Sequence, residues 1–521
     1  MKKALKFSAL FLALLMALSV FVACAGSVDE GTGGNSGDNG DKGTGGNGGG
    51  SDVVVSDTKP KETNAWKEEV IEDGLDGLDF EGQDVNILVR KENDPRYSRE
   101  WYCRADKMDA LDTKVYERNE TVQTRLNMKL KFHDNPNADD KMNDEILLKA
   151  KSGKGEYDVV NNYAAYATST TVIMYYSNLS NPKFEHMDLT KNYWNQNFID
   201  AATAYGNLYV IVGDMNLSVY DRAMVCYFNK TLATTYMSGI DIFQMVKDGD
   251  WTYQEFYDLI AEIHVDQGTA DIEDDTLGVV SIKGSEFCDG FLYSLGAELT
   301  QFDEASDNYV IVTGTKKETL ATAFEKTAEF WQADGARKIE GSTNAVKYFA
   351  AGKSLFLIDI IYHSADINKN ISDMSTTYGY GIIPLPKLDT RQEKYYAGVQ
   401  DAHGVTSVIE HWDQDWACVS ATLEALNSES YKELRPWYIN IVLKNQYIDD
   451  ADSVEVFEYI LDGTRWDFAD VYASASGNAR NKIWRGPIQK GDLDITTAYD
   501  GNYITLNDNF KTLGDWFREN T

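Results

Sequence analysis

Residues 84–90 read Asp-Val-Asn-Ile-Leu-Val-Arg and open the repeating pattern that decides the fold. This apolar run predicts a buried strand. It is followed by apolar residues at helical spacing over 111–126, alternating apolar residues over 128–132, a polar helical stretch over 138–151 and another strand at 157–160. The order strand, helix, strand, helix, strand predicts a parallel sheet joined by right-handed crossovers. The predicted fold class is therefore α/β.

The same alternation resumes further along the chain, so a second α/β lobe is predicted to begin near residue 213. The folded part is longer than one hydrophobic core usually organises, which favours two lobes or domains. The N-terminal lobe is predicted to comprise residues 80–212 and about 346–400. The C-terminal lobe is predicted to comprise residues 213–345 and about 401–521, with mainly helical structure after Trp412.

The first 23 residues predict a bacterial lipoprotein signal peptide. Three lysines precede an apolar run over 9–22, and Phe21-Val22-Ala23-Cys24 forms a cleavage box that ends in a lipidatable cysteine. A membrane-spanning helix is the alternative, but the run is shorter than the roughly 20 residues that a bilayer requires. We therefore expect a lipid anchor on Cys24 that holds the protein at the extracellular face of the cytoplasmic membrane.

Residues 24–64 are predicted to form a disordered tether. Glycine makes up about half of residues 26–50, and such a composition cannot bury apolar surface. The root-mean-square reach of this segment would be roughly 35 Å, as for other flexible linkers.

Composition narrows the possible partners. The chain has 83 acidic and 49 basic residues, a formal net charge of −34, which disfavours binding to nucleic acid.

Besides Cys24, the cysteines are Cys103, Cys226, Cys288 and Cys418, and none forms a C-x-x-C pair, which argues against structural zinc. One or two disulfides are compatible with export, but their pairing stays open.

Signature motifs of enzymes are missing from the predicted folded part, including H-E-x-x-H and G-x-S-x-G. A G-x-G-x-x-G match at 43–48 lies in the tether, without the strand and helix that a dinucleotide site needs. The acidic stretch 134–140 lacks the glycine and closing glutamate of a calcium loop, so a solvated loop or a helix start is predicted there. No catalytic residue, metal or cofactor is predicted, although a carboxylate pair of a glycosidase stays open.

Several aromatic residues lie in or near loops that are predicted to follow strands. Tyr97, Trp101 and Tyr102 lie in the loop after the first strand, Tyr163 and Tyr166 follow the third, and Phe287, Tyr362, Trp466 and Trp484 lie near Asp, Glu, Asn or Arg neighbours. Ligands of open α/β sheets bind beyond the carboxyl ends of the strands. Aromatic faces stack on sugar rings, while carboxylates and arginines orient sugar hydroxyls. Each aromatic residue taken alone favours core or interface packing over a ligand role, but their placement near strand ends favours a carbohydrate site.

Five segments together carry a family resemblance. They are Tyr157-Asp158-Val159-Val160, the segment from Val225 to Leu232, the segment from Gly249 to Phe256, the segment from Phe287 to Gly296, and the segment from Phe349 to Phe356. With the lipoprotein signal and the tether, they make the chain resemble the extracellular solute-binding proteins of ABC transporters, family 1, the group that includes maltose-binding protein. The segments span most of residues 80–400.

The resemblance implies a type II periplasmic-binding-protein-like fold, in which two α/β lobes close over ligand like a hinged trap. It also implies a set of ligand-binding residues from the strand-end loops, the crossing segment and the C-terminal region. These are Tyr97, Trp101, Asn161, Tyr163, Asp214, Asp221, Arg222, Glu286, Phe287, Asp359, Tyr362, Trp484 and Arg485. Members of this family mostly bind mono- or oligosaccharides, and the aromatic richness fits an oligosaccharide.

The leading hypothesis is a monomeric receptor that captures a carbohydrate outside the cell and hands it to an ABC permease without covalent chemistry. The alternative is a binding protein for peptides or another small solute on the same scaffold, since a scaffold does not fix its ligand. In that case Arg222 or Arg485 would face a ligand carboxylate. A third possibility is a surface-anchored hydrolase or lyase.

Overall fold

The computed structural model describes residues 71–90, 99–102, 110–153, 155–261, 263–268, 274–341, 343–373, 379–445 and 451–520. The predicted signal peptide, Cys24 and the tether lie outside the described residues, as do Tyr97 and Cys103. The described residues all belong to one compact unit, Glu62–Thr521.

Within these described ranges, the strands are short and form two main sheets and two small ones. They are β1 (Gln83–Val89), β2 (Met128–Asp134), β3 (Val159–Tyr163), β4 (Met224–Asn229), β5 (His264–Val265), β6 (Thr276–Ile282), β7 (Thr300–Asp303), β8 (Asn308–Ile311), β9 (Ala336–Ile339), β10 (Ser354–Ile360), β11 (Tyr380–Ile383), β12 (Ala397–Gly398), β13 (Gly404–Val408) and β14 (Thr464–Arg465).

Helices connect the strands and make up most of the C-terminal part. They are α1 (Ala110–Leu126), α2 (Met142–Ser152), α3 (Ala164–Ala167), α4 (Gln196–Ala202), α5 (Leu217–Asp221), α6 (Lys230–Tyr236), α7 (Ile242–Asp248), α8 (Tyr253–Ala261), α9 (Glu286–Ser294), α10 (Gly314–Phe330), α11 (Asn344–Ala350), α12 (Ser364–Asp373), α13 (Trp416–Glu429), α14 (Arg435–Asn445), α15 (Ala451–Asp462), α16 (Phe468–Val471), α17 (Ala473–Ser476), α18 (Gly486–Lys490) and α19 (Thr496–Glu519). Short 3-10 turns occur at Asp139–Lys141, Ile173–Tyr175 and Ile361–His363, and π turns at Ser430–Leu434 and Asn481–Arg485.

The first sheet has the strand order β13-β3-β1-β2 and defines the first lobe. Strand β1 pairs in parallel with β2 and with β3, whereas β13 runs antiparallel to β3. Ile87 and Leu88 of β1 are fully buried, as are Val122 and Leu126 on one face of α1. The predicted order of strands and helices and their parallel pairing are confirmed for this sheet.

The second sheet has the order β11-β4-β10-β6-β5, with β9 also paired to β6, and defines the second lobe. Every residue of β10 is buried, and β10 runs parallel to β6 and antiparallel to β4. The predicted division of the chain is corrected here. Residues 354–360, expected in the first lobe, lie in the second sheet, and residues 404–408, expected in the second lobe, lie in the first.

Two crossing segments join the lobes and run antiparallel to each other. Ile211 and Thr406 exchange backbone hydrogen bonds of 2.9 and 2.8 Å, and Ala223 bridges Val399. The Gln400 N–H also donates to the carbonyl of Arg222 at 2.9 Å. We call this pair of segments, residues 211–223 and 399–406, the hinge.

Helices after the hinge cover both lobes. Helix α13 packs against α1 and β1 of the first lobe, and α15 packs against α7 and β11 of the second. Within the described part of the chain, no helix combines the length and apolar character that a membrane crossing requires. Cys226, Cys288 and Cys418 are buried free thiols, and burial raises the pKa of each one.

Candidate functional site at the hinge

The second lobe meets the hinge through Gln400. The side-chain amide of Gln400 donates to the Glu286 carboxylate, and its oxygen accepts a hydrogen bond from the Arg222 guanidinium at 3.0 Å. That guanidinium lies 5.3 Å from the centre of the Tyr362 ring. Glu286 and Tyr362 follow the carboxyl ends of β6 and β10, so both strand ends face the hinge.

A second acidic side chain lies beside this group. Asp359 is fully buried near the end of β10, and its Oδ1 is 2.7 Å from Nδ1 of His363. Burial, together with the Asp359 charge, raises the pKa of Glu286. Burial opposes protonation of His363, but the Asp359 carboxylate outweighs it and raises the pKa of this imidazole. This wall of the site is therefore rich in hydrogen-bond acceptors.

An ion cluster holds the C-terminal part against the same point of the hinge. Arg485 Nε is 2.9 Å from Asp289 Oδ2, and a guanidinium nitrogen of Arg485 is 3.4 Å from Asp401. Arg480 approaches Asp401 at 3.4 Å and Asp470 at 3.2 Å. Asp289 is buried in the first turn of α9, where the helix N-terminus stabilises a carboxylate. The Asp401 side chain keeps 38% of its surface exposed, which leaves it accessible to a ligand.

The first lobe meets the hinge through Arg90, the residue that follows β1. Its guanidinium donates to the carbonyl of Ala402 at 3.0 Å, to that of Asn162 at 3.2 Å and to that of His403. It also lies 4.7 Å from the centre of the Tyr163 ring at the end of β3. Carboxyl strand ends from both sheets thus converge on residues 400–403.

Glu100 forms another link between the first lobe and the hinge. Its Oε2 accepts the Ser218 N–H at 2.7 Å, and the Ser218 hydroxyl accepts the Gly404 N–H at 2.9 Å. A Cβ at Gly404 would lie 2.6 Å from Nδ2 of Asn161 and 2.7 Å from Oε1 of Glu100. The close approach of these two side chains therefore requires glycine at position 404. Burial raises the pKa of the Glu100 carboxyl to about 7.

This raised pKa gives a testable pH dependence. An unfolded glutamate titrates near 4.5, so the folded protein holds this proton more tightly than the unfolded chain does. The stability that the neutral form contributes is complete below about pH 4.5 and is lost as the pH rises through about 7. We expect Glu100→Gln to become more stable relative to the wild type over this window, by up to about 3 kcal/mol.

The measurement is urea denaturation of both proteins between pH 4.5 and 8. Glu117→Gln is the matched control, because the Glu117 side chain is 55% exposed. A constant difference between Glu100→Gln and the wild type across this range would contradict the prediction.

The structure brings together about half of the predicted site residues at the hinge. These are Asn161, Tyr163, Arg222, Glu286, Asp359, Tyr362 and Arg485. Tyr97 lies outside the described residues, and its assignment stays a prediction.

Two predicted residues of the crossing segment have other partners. The Asp214 carboxylate accepts from the Tyr220 hydroxyl and lies 3.3 Å from a guanidinium nitrogen of Arg435. Asp221 accepts from the hydroxyl of Tyr438. Both carboxylates thus face the region of α14 instead of Gln400, and the structure does not bring them together with the other predicted site residues.

Three predicted aromatic residues are core residues. The Trp484 ring is fully buried edge-on against Phe324, and its Nε1 donates to the carbonyl of Cys288 at 3.0 Å. Phe287 is buried edge-on against Trp331, and Trp101 is 1% exposed. Their surfaces are occupied by protein, so the prediction that they contact ligand is corrected.

Sequence reasoning missed five polar residues of the site: Arg90, Glu100, Asp289, Gln400 and Asp401. Arg90 had a usable signal, since it is a charged residue directly after a buried strand. Gln400 and Asp401 had none, because their place depends on pairing between segments almost 200 residues apart.

A small cavity of about 20 Å³ lies behind the hinge. It is lined by Phe198, His403, Trp466, Asp470 and Arg480, among others. Its volume is enough for about one water molecule, and a sugar ring does not fit. Among the residues described, no group of three or more His, Cys, Asp or Glu side chains is arranged to hold a metal ion.

No family model matches the chain. No curated protein matches it either. Solved structures do match its overall chain path. A cyclo/maltodextrin-binding protein complexed with maltotetraose is 14% identical, with 82% of this chain and 96% of that chain covered and a TM-score of 0.49.

Two further solved structures also match the chain. An ABC transporter solute-binding protein from Thermotoga lettingae, bound with α-D-tagatose, is 11% identical, covers 82% of this chain and 100% of its own, and gives a TM-score of 0.49. The maltose/maltodextrin-binding domain from Bdellovibrio bacteriovorus, bound to maltotriose, is 14% identical, with the same coverage and a TM-score of 0.45. The fold assignment above is based on the strand order of this chain itself.

Proposed function

We propose that this protein is the extracellular substrate-binding lipoprotein of an ABC importer. It captures a carbohydrate, specifically an oligosaccharide, between its two lobes and delivers it unchanged to a membrane permease. The observation that supports this most strongly is the convergence of carboxyl strand ends from both sheets on hinge residues 400–403.

The chemistry of the hinge site favours a neutral, hydroxyl-rich ligand. Glu286 and Asp401 offer acceptors, and charged hydrogen bonds to hydroxyl groups are stronger than neutral ones. The rings of Tyr163 and Tyr362 lie at the two strand ends, where aromatic faces can stack on sugar rings.

The arginines of the site argue against a peptide carboxylate as the ligand. The Arg485 charge is compensated by Asp289 and Asp401, and Arg222 donates to Gln400. A free peptide carboxylate would have to compete with buried Asp289 for Arg485. Binding it would break the ion pair between Arg485 and Asp289, which is unfavourable. This compensation supports the carbohydrate over the peptide alternative.

Ligand binding is linked to lobe closure in this proposal. Arg90 and Tyr163 belong to the first lobe, whereas Glu286 and Tyr362 belong to the second. A ligand that contacts residues of both lobes binds the closed arrangement more tightly than an open one. It therefore shifts the protein towards the closed arrangement, to an extent set by the difference between the two affinities.

The anchor and the delivery step rest on the sequence. The signal peptide, Cys24 and the glycine-rich segment 24–64 would hold a monomeric binding unit outside the cytoplasmic membrane, within reach of a permease.

A thermal-shift screen tests the proposed ligand class. The purified protein is heated with mono- and oligosaccharides and, separately, with short peptides. A ligand that binds only the folded state stabilises it by about 2.7 kcal/mol at a hundredfold excess over its dissociation constant. We expect at least one oligosaccharide to raise the unfolding midpoint and the peptides to leave it unchanged. A rise with peptides alone would contradict the carbohydrate assignment.

A further inference from the structure

A wide groove lies apart from the residues that form the hinge site. Its volume is about 580 Å³, which falls in the range of roughly 300–1,000 Å³ typical of small-molecule sites. Five parts of the chain contribute residues to its lining: α4 of the first lobe, the β7-β8 hairpin, the start of α10, residues 393–396, and residues 462–468. Neither the hinge residues Arg222 and Gln400 nor their neighbours Glu286 and Tyr362 line it.

Aromatic rings form one part of the groove lining. Phe302 keeps 37% of its surface exposed and is held edge-on by Tyr309 at 5.3 Å and Tyr205 at 6.0 Å. Tyr309 is itself stacked on Phe468, with ring centres 3.8 Å apart and planes at 6°. The exposed Phe302 ring therefore stands on a rigid aromatic support.

Charged side chains form the other part of the lining, and three of them are paired with one another. The Glu298 carboxylate accepts from both Arg465 and Lys316. The Arg465 guanidinium also lies 4.4 Å from the centre of the Tyr396 ring, which fixes that ring by a cation–π contact. The lining carries five acidic side chains against three basic ones, so the groove disfavours an anionic ligand.

The groove is pre-formed because its walls are hydrogen-bonded to each other. The Asn197 amide of α4 donates to the carbonyl of Thr464 at 2.8 Å and to that of Asp462 at 3.2 Å. Asp467 accepts from the backbone N–H groups of Leu299 and Thr300 at 2.9 and 3.0 Å. Pre-formed walls reduce the entropy cost of ordering a site around its ligand.

From this lining we propose a second carbohydrate site in the groove, which takes a neutral mono- or disaccharide unit. The ring of Phe302 stacks on the apolar face of the sugar, and Glu298, Gln301 and Arg465 hydrogen-bond its hydroxyl groups. The groove binds independently of the hinge site and does not require the hinge to bind sugar.

The test is ligand-observed saturation-transfer NMR with methyl β-D-glucopyranoside, maltose and maltotriose. Four proteins are compared: the wild type, Phe302→Ala in the groove, Tyr362→Ala at the hinge, and Trp412→Ala as a control. Trp412 is 83% exposed and belongs to neither site. Since Phe302 is partly exposed, Phe302→Ala should fold normally, and near-ultraviolet circular dichroism checks this. Gln301→Ala is a second groove variant, which leaves the aromatic rings of the groove intact.

We expect at least one of the three sugars to bind in the groove of the wild type, of Tyr362→Ala and of Trp412→Ala. Phe302→Ala should weaken this groove binding at least fivefold. Sugar binding that only Tyr362→Ala reduces would overturn the groove site while supporting the hinge site. Binding that only Phe302→Ala and Gln301→Ala reduce would support the groove and contradict the hinge proposal. Absence of saturation transfer from all three sugars to the wild type would also overturn the groove site.

Discussion

Replacing Trp484 by alanine is expected to lower the free energy of unfolding by about 3–5 kcal/mol, the usual cost of truncating a fully buried tryptophan. The ring is fully buried and lies edge-on to Phe324, with centres 5.7 Å apart. Its Nε1 donates to the Cys288 carbonyl at 3.0 Å, so the substitution also leaves that acceptor without its partner. Chemical denaturation followed by fluorescence and circular dichroism measures the loss.

Trp412→Ala is the matched control for this substitution. Trp412 is 83% exposed, so its removal should change the stability by less than about 0.5 kcal/mol. If Trp484→Ala retained full stability but lost affinity for sugar, Trp484 would be a stacking ring of the binding site after all.

Arg485→Ala is expected to destabilise the protein by about 3 kcal/mol, because it leaves a buried carboxylate without its main partner. Asp289 is 1% exposed and receives two guanidinium hydrogen bonds at 2.9 and 3.2 Å, besides a shorter one. Arg480 stays 3.7 Å from Asp289, so the effect should lie at the low end of the range for broken buried pairs. Urea denaturation at neutral pH measures it.

Arg391→Ala controls for the loss of an arginine as such. Arg391 pairs with Asp389 at the surface with its own side chain 88% exposed, and such pairs contribute less than about 1 kcal/mol. The double variant Asp289→Asn/Arg485→Ala should recover part of the lost stability, since it removes the unpaired charge. Additive losses in the double variant would show that the two side chains do not stabilise each other.

The local pattern of the first lobe could be predicted from the sequence. Periodic apolar residues define β1, α1 and β2 within a continuous stretch, and their pairing follows from the short connections between them. The start of β3 was predicted two residues early, and the strand extends to Tyr163.

Lobe membership could not be predicted for the later strands. Strand β10 is mostly apolar and is buried along its whole length, so its residues carry no mark of which sheet they join. Its partners β4 and β6 lie about 70 to 130 residues earlier in the chain. The predicted boundary at 346–400 was wrong for this reason.

The site was predictable where residues follow strands directly, as Glu286 and Tyr362 do. Aromatic residues were ambiguous, because the same ring serves a core or a ligand. Trp484 and Phe287 proved to be core residues, and only their surroundings in the fold decide this. Gln400, which joins Arg222 to Glu286, becomes important only through the antiparallel pairing of the hinge.

Calorimetric titration of Glu286→Gln tests the hinge site most directly. The wild type and this variant are titrated with the oligosaccharide that gives the largest thermal shift, and Glu340→Gln, whose side chain is 76% exposed, serves as the control. Loss of a charged hydrogen bond costs about 1.5–3 kcal/mol, so we expect the affinity of Glu286→Gln to fall at least tenfold and that of Glu340→Gln to stay unchanged. Equal affinity of Glu286→Gln and the wild type would contradict a carbohydrate site at the hinge.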